Sequence, residues 1–594
     1  MNSLKINFTL LLSILFYSLS FTQTTYFVDQ QNGKNSNNGT TLSTAFNSID
    51  KAIGNVKPGD IIEIVGTYKN PSYNSNYSYN SESDSHLWHS ENTIRINNLN
   101  GSANNFITLK AHNSNTVLKG DGANIFRITN STYLKIEDFN IEGEVENIPL
   151  STANKLQFVY IIDDHNLAGS TTNPKASDIR FRNEDETNDS DNFVEETDTY
   201  TDISNKKVIR PSYIDTRGLY ISNSSNIIIH NNTIHHTPGG GLRVSDGKHI
   251  TITENEIYRC SVKSYSGTHA LVVTKTQPIA SSNYSVEILR NKIHHNYNEQ
   301  FSWSPSKTII TPRIDEGKGI SLQRNNLSDW INGKGRILVA NNLCYWNGFS
   351  GVHTNDGYRI DFINNTCYLN SYTNSITYSG QTQKGQNIGI SAQSSNDIKM
   401  INNISVIDTD WGGFALSAGG TSNLEVNNNI IFGYNGTVSE DSDVKNVDVN
   451  TLKTNPMFVN TPDHLLESQY DFNLKNNSPA IGIALTSFTP SDDFFGNIRD
   501  SNPDLGAIEY SSNLSAEGVT VQNISIYPNP FIDKITVNVS ALKLKNISIF
   551  NLLGQKQLLK YASSENKISL DLSHLKKGVY ILKIGSNSKK IIKN

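Results

Sequence analysis

Gly218-Leu219-Tyr220-Ile221, Gly241-Leu242-Arg243-Val244, Gly319-Ile320-Ser321-Leu322, Gly351-Val352-His353-Thr354, Gly389-Ile390-Ser391-Ala392 and Gly413-Phe414-Ala415-Leu416 repeat one pattern six times. Each is glycine, an apolar residue, a variable residue, then an apolar or small one. That alternation belongs to a short strand whose second and fourth residues face one way and whose third faces the other. A strand that returns in this way implies a solenoid, with the rest of the chain wound around it as coils, caps and insertions.

A column of asparagines fixes the winding. Asn232, Asn255, Asn291, Asn342, Asn365 and Asn429 are each followed two positions later by a buried-type residue, from Ile234 to Ile431. The intervals 232 to 255 and 342 to 365 approximate one three-strand coil, and the longer intervals read as coils with insertions. Asparagine suits such a turn because it tolerates left-handed backbone and can bond its counterpart in the next coil. Together these features resemble the right-handed parallel β-helix of pectate lyases and related polysaccharide-cleaving enzymes, with their asparagine ladder, over roughly residues 24 to 510. The fold expected is all-β: a right-handed parallel β-helix with an N-terminal helical cap and a small C-terminal β-sandwich.

Charge separates two parts of the chain. Residues 519 to 594 hold 12 Lys and no Arg against three acids, a balance of +9, so the remainder carries -15 within a whole-chain charge of -6. An acidic main body argues against nucleic acid as its target. Three cysteines exclude a disulfide framework; Cys344 and Cys367, one coil apart, are expected to stack reduced inside, with a bridge as the alternative.

Met1 to about Thr22 has the signal-peptide pattern, Lys5 ahead of an apolar run, and no later run is long enough to span a membrane. Tyr26 to Val65 reads as a strand, turns and an amphipathic helix over Ala45 to Ile53, the cap of a first open coil. Residues 143 to 212 interrupt the rhythm with an acidic insertion, either a solvated loop or a calcium site. No other cofactor is expected. After a polar linker at 511 to 518, residues 519 to 594 contain Tyr527-Pro528-Asn529-Pro530, Leu553-Gly554-Gln555 and Gly578-Val579-Tyr580, short strands of a small sandwich. These motifs resemble the C-terminal sorting domain of the type IX secretion system. The resemblance implies that machinery as a partner, passage across the outer membrane, and a secreted or cell-surface location; a monomer is expected.

Chemistry is expected on the outer face of the repeated strand. Tyr220, Arg243, Ser321, His353 and Ser391 should form a column there, beside Gln323, with coils ~4.8 Å apart. The leading glycines are read as leaving room for a glycan. The segments entering these strands hold Arg217, His235-His236, His269, and Arg313-Ile314-Asp315-Glu316-Gly317-Lys318. Glu316-Gly317-Lys318-Gly319-Ile320, Asn342-Leu343-Cys344-Tyr345 and Ser350-Gly351-Val352-His353 resemble motifs shared by a group of uncharacterised secreted β-helix proteins, which implies a common site. Hydrolysis of an acidic or sulfated glycan is the first reading, with Glu316 and Asp315, Asp356 or Asp410 as the carboxyl pair and His353 outward and exposed beside it. Elimination from a uronate, using Lys318, Arg243, Arg313, His269 or His353, is the second. A non-catalytic adhesin is the third. The expected catalytic residues are thus Glu316, His353, Asp315, Lys318 and His269, and the expected substrate contacts are Arg217, Tyr220, His236, Arg243, Arg313, Gln323 and Trp411.

Overall fold

The computed structural model describes residues 23–70, 92–150, 153, 159–161, 179–181, 212–264, 268–279, 284–299, 317–370, 376–378, 381–383, 388–461, 470–511 and, in short stretches, most of 525–594. Contacts divide the chain into two compact units, Met1–Tyr510 and Ser511–Asn594.

Unit one is a stack of coils with three parallel sheets. Each complete coil gives one strand to a nine-stranded, one to a twelve-stranded and one to an eleven-stranded sheet, as Arg217–Ser222, Ser225–His230 and Thr233–His235 do in turn. Every strand then pairs in register with its counterpart one coil on, Leu219 with Leu242 and Ile234 with Ile257. Stacking places like residues over like. Leu219, Leu242, Leu271, Ile320, Val352, Ile390 and Leu416 form one column with no more than 1% exposure, and Ile227, Ile250, Val286 and Ile337 form another. Full burial of each such side chain contributes about 1.5–3 kcal/mol. The core is therefore continuous along the axis, and no coil could bury its apolar residues alone.

Where the twelve-stranded sheet passes into the eleven-stranded one, the corner is two residues long in every coil from Thr132–Glu137 to Ser422–Asn427. Its first residue takes a left-handed φ, as Asn231 (52°), Arg290 (56°) and Asn341 (55°) do. Its second is Phe139 in the first of these coils and thereafter the ladder asparagine, which donates to the Oδ1 of the next: Asn232 to Asn255 at 3.0 Å, and onward through Asn291, Asn342, Asn365, Asn403 and Asn429. A second ladder, Asn296–Asn347–Asn370, runs five residues later at the next corner, with bonds of 2.9 Å. Cys344 and Cys367 are adjacent, buried and free, as expected for reduced core residues.

The N-terminal cap differs in detail from the sequence reading. The cap helix is only Ile49–Ile53, because the backbone N–H groups of Asn47 and Ser48 both donate to Asn35 Oδ1 and hold the preceding chain extended. The stretch from Phe458 to Tyr510 adds no strand to the three parallel sheets among the described residues. It returns along the outside of the stack, and Phe458, Phe472, Leu474 and Leu505 pack on Tyr345, Tyr368 and Ile404. Arg499 pins it by bonds to Glu509 Oε2 (2.7 Å) and Asn341 Oδ1 (3.0 Å).

Unit two has two four-stranded antiparallel sheets around Phe531, Val537, Ile549, Leu570, Leu582 and Ile591.

Candidate active site

The nine-stranded sheet carries the candidate site, and its glycines explain the layout. A Cβ on Gly351 would lie 2.7 Å from both Cys367 Sγ and Asn370 Nδ2; on Gly218 it would lie 2.5 Å from Ile234 Cγ2. The glycine thus faces inward, as the apolar residue after it does. Its role is to let the chain turn against the core, not to make room for a glycan, which corrects that expectation. Two consecutive inward positions leave the residues before and two after the glycine on the outer side. Arg217 with Tyr220, and Lys318 with Ser321, are such pairs.

Strand register aligns Tyr220, Arg243, Val272, Ser321, His353 and Ser391 on successive coils. Entering the coils between them, His269 and Lys318 come together: the Lys318 backbone N–H points to His269 Nδ1 at 3.4 Å. The Gln323 side-chain amide lies 3.0 Å from His269 Nε2 and donates to Ser321 Oγ at 3.2 Å. Lys318 Nζ sits 4.5 Å from the centre of the Phe349 ring, which in turn meets the His353 ring edge-on at 6.3 Å. His353 Nδ1 is 2.6 Å from Ser391 Oγ.

His353 is only 4% exposed, so its expected exposure is corrected: Phe349 and Lys318 fold over it. Burial, then the charge of Lys318, holds the His353 imidazole well below its ordinary range. Burial also depresses His269, aided by the charges of Lys318, His353 and Arg243. Both rings are therefore neutral at ordinary pH, the form in which one ring nitrogen carries no proton. Burial and Arg217 lower the Arg243 guanidinium from its usual value, but it stays charged.

The strands of this sheet are also one-signed. None of the nine strands of this sheet contains an Asp or Glu, whereas Asp29, Glu63, Glu137, Glu287, Asp361, Asp397, Glu425 and Asp448 lie in the twelve-stranded sheet and Glu142 and Glu256 in the eleven-stranded one.

Not every anticipated residue belongs to this cluster. His236 lies just beyond the eleven-stranded sheet, its Nδ1 2.7 Å from that of His235, and its charge influences Glu146. Arg313, Asp315, Glu316 and the Trp411 side chain fall outside the described residues, as does most of the acidic insertion. Trp330 and Trp346 are buried packing residues, Trp330 Nε1 donating to the Thr276 carbonyl at 2.6 Å. Among the described residues no three His, Cys, Asp or Glu side chains are close enough to hold a metal ion. Sequence reasoning missed Phe349, and also Arg95 and Arg127, which occupy the Tyr220 register on earlier coils. The alternation of Ile94-Arg95-Ile96 and Phe126-Arg127-Ile128 carries the signal, without the leading glycine.

Comparison with known proteins defines the class. Residues 127–327 match the family model "Right handed beta helix region", and residues 525–594 match "Secretion system C-terminal sorting domain". The chain is a right-handed parallel β-helix with a type IX sorting domain, and so is a secreted or cell-surface protein. A curated relative, ulvan lyase NLR42 of Nonlabens ulvanivorans, is 29% identical over 84 residues, 14% of this chain; the match spans 15% of that lyase's length. Similar solved structures include pectate lyase Pel9A (16% identity, 82% of this chain and 97% of that one, TM-score 0.41) and a rhamnogalacturonan lyase (13%, 82% and 96%, TM-score 0.32). The expectation of a glycoside hydrolase is corrected here, since the curated relative is a lyase.

Proposed function

We propose that unit one is a polysaccharide lyase that breaks a uronate-containing glycan by β-elimination. The observation that supports this most is the carboxylate-free sheet on which a lysine, arginines and two neutral imidazoles converge. A uronate is negatively charged, and that charge opposes loss of the neighbouring C5 proton. A cation against the carboxylate stabilises the carbanion-like transition state. Lys318 and Arg243 are suited to this role. His353, held by Ser391 at Nδ1, takes the C5 proton on Nε2. The C5–H electron pair becomes the C4–C5 double bond, and the C4–O bond breaks with its pair on the departing oxygen. His353, now an imidazolium, returns the proton to that oxygen, so nothing is left over but two shorter chains.

Incubation of the chain with uronate glycans tests this, with reducing ends and the ultraviolet absorbance of the conjugated product followed together. Both rise for a lyase. Reducing ends without absorbance, or binding without either, refute it. A positioned base is worth about 100- to 10,000-fold, and His353→Ala is expected to lose activity in that range while His353→Ala protein retains glycan binding.

A further inference from the structure

Half-buried arginines in unit one, and with them the exposed Arg95, follow two rules. Away from the nine-stranded sheet they are ion-paired: Arg290 with Asp492 at 2.6 Å, Arg336 with Asp397 at 2.8 Å, Arg359 with Asp397 at 3.2 Å. On the nine-stranded sheet, Arg95, Arg127, Arg217 and Arg243 have no carboxylate within ion-pair distance among the described residues. Arg243 Nε reaches only Ser245 Oγ, at 3.3 Å, and the Nε atoms of Arg127 and Arg217 are buried without a hydrogen-bond partner. Partly desolvated guanidinium groups without counter-charge are costly, and the cost is recovered when an anion arrives.

Their spacing adds a second constraint. Arg95 pairs in register with Arg127, Arg127 with Tyr220 in the strand that begins at Arg217, and Tyr220 with Arg243. Four successive coils, ~4.8 Å apart, each present one guanidinium, that of Arg217 starting three residues ahead of the register shared by the other three, and the coil rise is comparable with the advance of one sugar along an extended glycan. Arg127 lies over the Tyr220 ring, its Cζ 5.9 Å from the ring centre. Planar guanidinium forks match both carboxylate and sulfate oxygens.

We propose that this row is an extended binding track for a glycan bearing one negative charge on every successive sugar, laid along the stack from the Lys318–His353 centre toward the N-terminal cap. The substrate class is thus a polyuronate or a chain in which uronate alternates with a sulfated sugar, not a glycan charged only at intervals; the direction of the track rests on the lyase reading above.

The test uses the full chain and calorimetric binding of hexasaccharides: a polyuronate, an alternating uronate–sulfated sugar, and each with its carboxyl groups reduced. Binding of at least one fully charged hexasaccharide should weaken on raising the salt concentration, and by about tenfold or more in Arg95→Ser and in Arg127→Ser. Arg95 is exposed, so its variant folds even if Arg127→Ser does not. The preferred member of the two charged hexasaccharides identifies the source of the charge. Equal affinity for charged and carboxyl-reduced polyuronate, wild-type affinity in both variants, or no binding of either charged hexasaccharide overturns the track. Arginine-dependent binding without unsaturated product keeps the track and rejects the lyase; unsaturated product with binding independent of Arg95 and Arg127 does the reverse.

Discussion

Asn342→Ala should be among the most destabilising single substitutions in unit one. The side chain accepts from Asn291 N (2.9 Å) and Asn291 Nδ2 (3.0 Å), and donates to the carbonyls of Ile288 (2.9 Å) and Ala340 (3.1 Å) and to Asn365 Oδ1 (2.9 Å). It is fully buried, so water cannot replace any of the five. At a net ~1 kcal/mol per bond the loss approaches about 5 kcal/mol; Asn291 Nδ2 keeps its bonds to Ile252 and Leu289, so about 3–5 kcal/mol is the working range. A typical substitution costs about 0.5–3 kcal/mol. Urea unfolding of the full chain, followed by circular dichroism, measures it. Because Asn342 and Asn365 share a bond, the Asn342→Ala/Asn365→Ala pair should cost less than the sum of the two. A loss below about 1 kcal/mol for Asn342→Ala, or strict additivity with Asn365→Ala, would refute the view that the ladder clamps the coils.

Gly351→Ala forces its new methyl group against Cys367 and Asn370, and overpacking of this kind costs about 1–3 kcal/mol; an unchanged melting temperature would contradict the inward-facing glycine. His295 is pushed down to about 3 by burial and then by the nearby His294, whereas the unfolded chain takes up its proton near 6.5. The unfolded state therefore binds more protons in that window, and stability falls as pH drops from about 6.5 toward about 3. His295→Asn should make that decline shallower, which pH-resolved denaturation checks. Removing residues 511–594 should leave the melting transition of the β-helix in place and stop export, a result read by calorimetry of the truncated protein and by its absence from the culture medium. Ser391→Ala should lower the rate of elimination while leaving hexasaccharide affinity near wild type, because the hydroxyl orients His353 and contacts no sugar.

What the sequence disclosed depended on how far each feature is set by local repetition. The glycine-headed strand and six ladder asparagines repeat visibly, and the structure stacks them, with one correction: Leu416 and not Phe414 pairs with Ile390, so Gly413 lies two residues out of phase with the other five glycines. Asn403 escaped notice because Ser405 stands where the other coils have an apolar residue; its hydroxyl is satisfied by the Ala415 carbonyl at 2.8 Å. Val272 was passed over in the outer column because its strand is headed by Ala270 and not by glycine. The burial of His353 was not legible at all. It depends on Phe349 folding back from a corner, a tertiary event with no period. The charge character of the face was equally hidden, since the chain is acidic as a whole and only strand assignment reveals that the carboxylates avoid one sheet.

The two-residue corner has a consequence for how such a chain can vary. Successive ladder asparagines are separated by 23, 36, 51, 23, 38 and 26 residues, yet the corner they occupy never changes length. All of that difference is taken up at the other two corners, the ones that border the nine-stranded sheet. A segment exchanged there that keeps Asn296, Asn347 and Asn370 alters the approaches to the nine-stranded sheet and leaves both ladders untouched, so framework and specificity are separable parts. Exchanging residues between Asn296 and Lys318 keeps both ladders and the apolar columns, and is therefore a change of substrate preference attempted at little risk to folding.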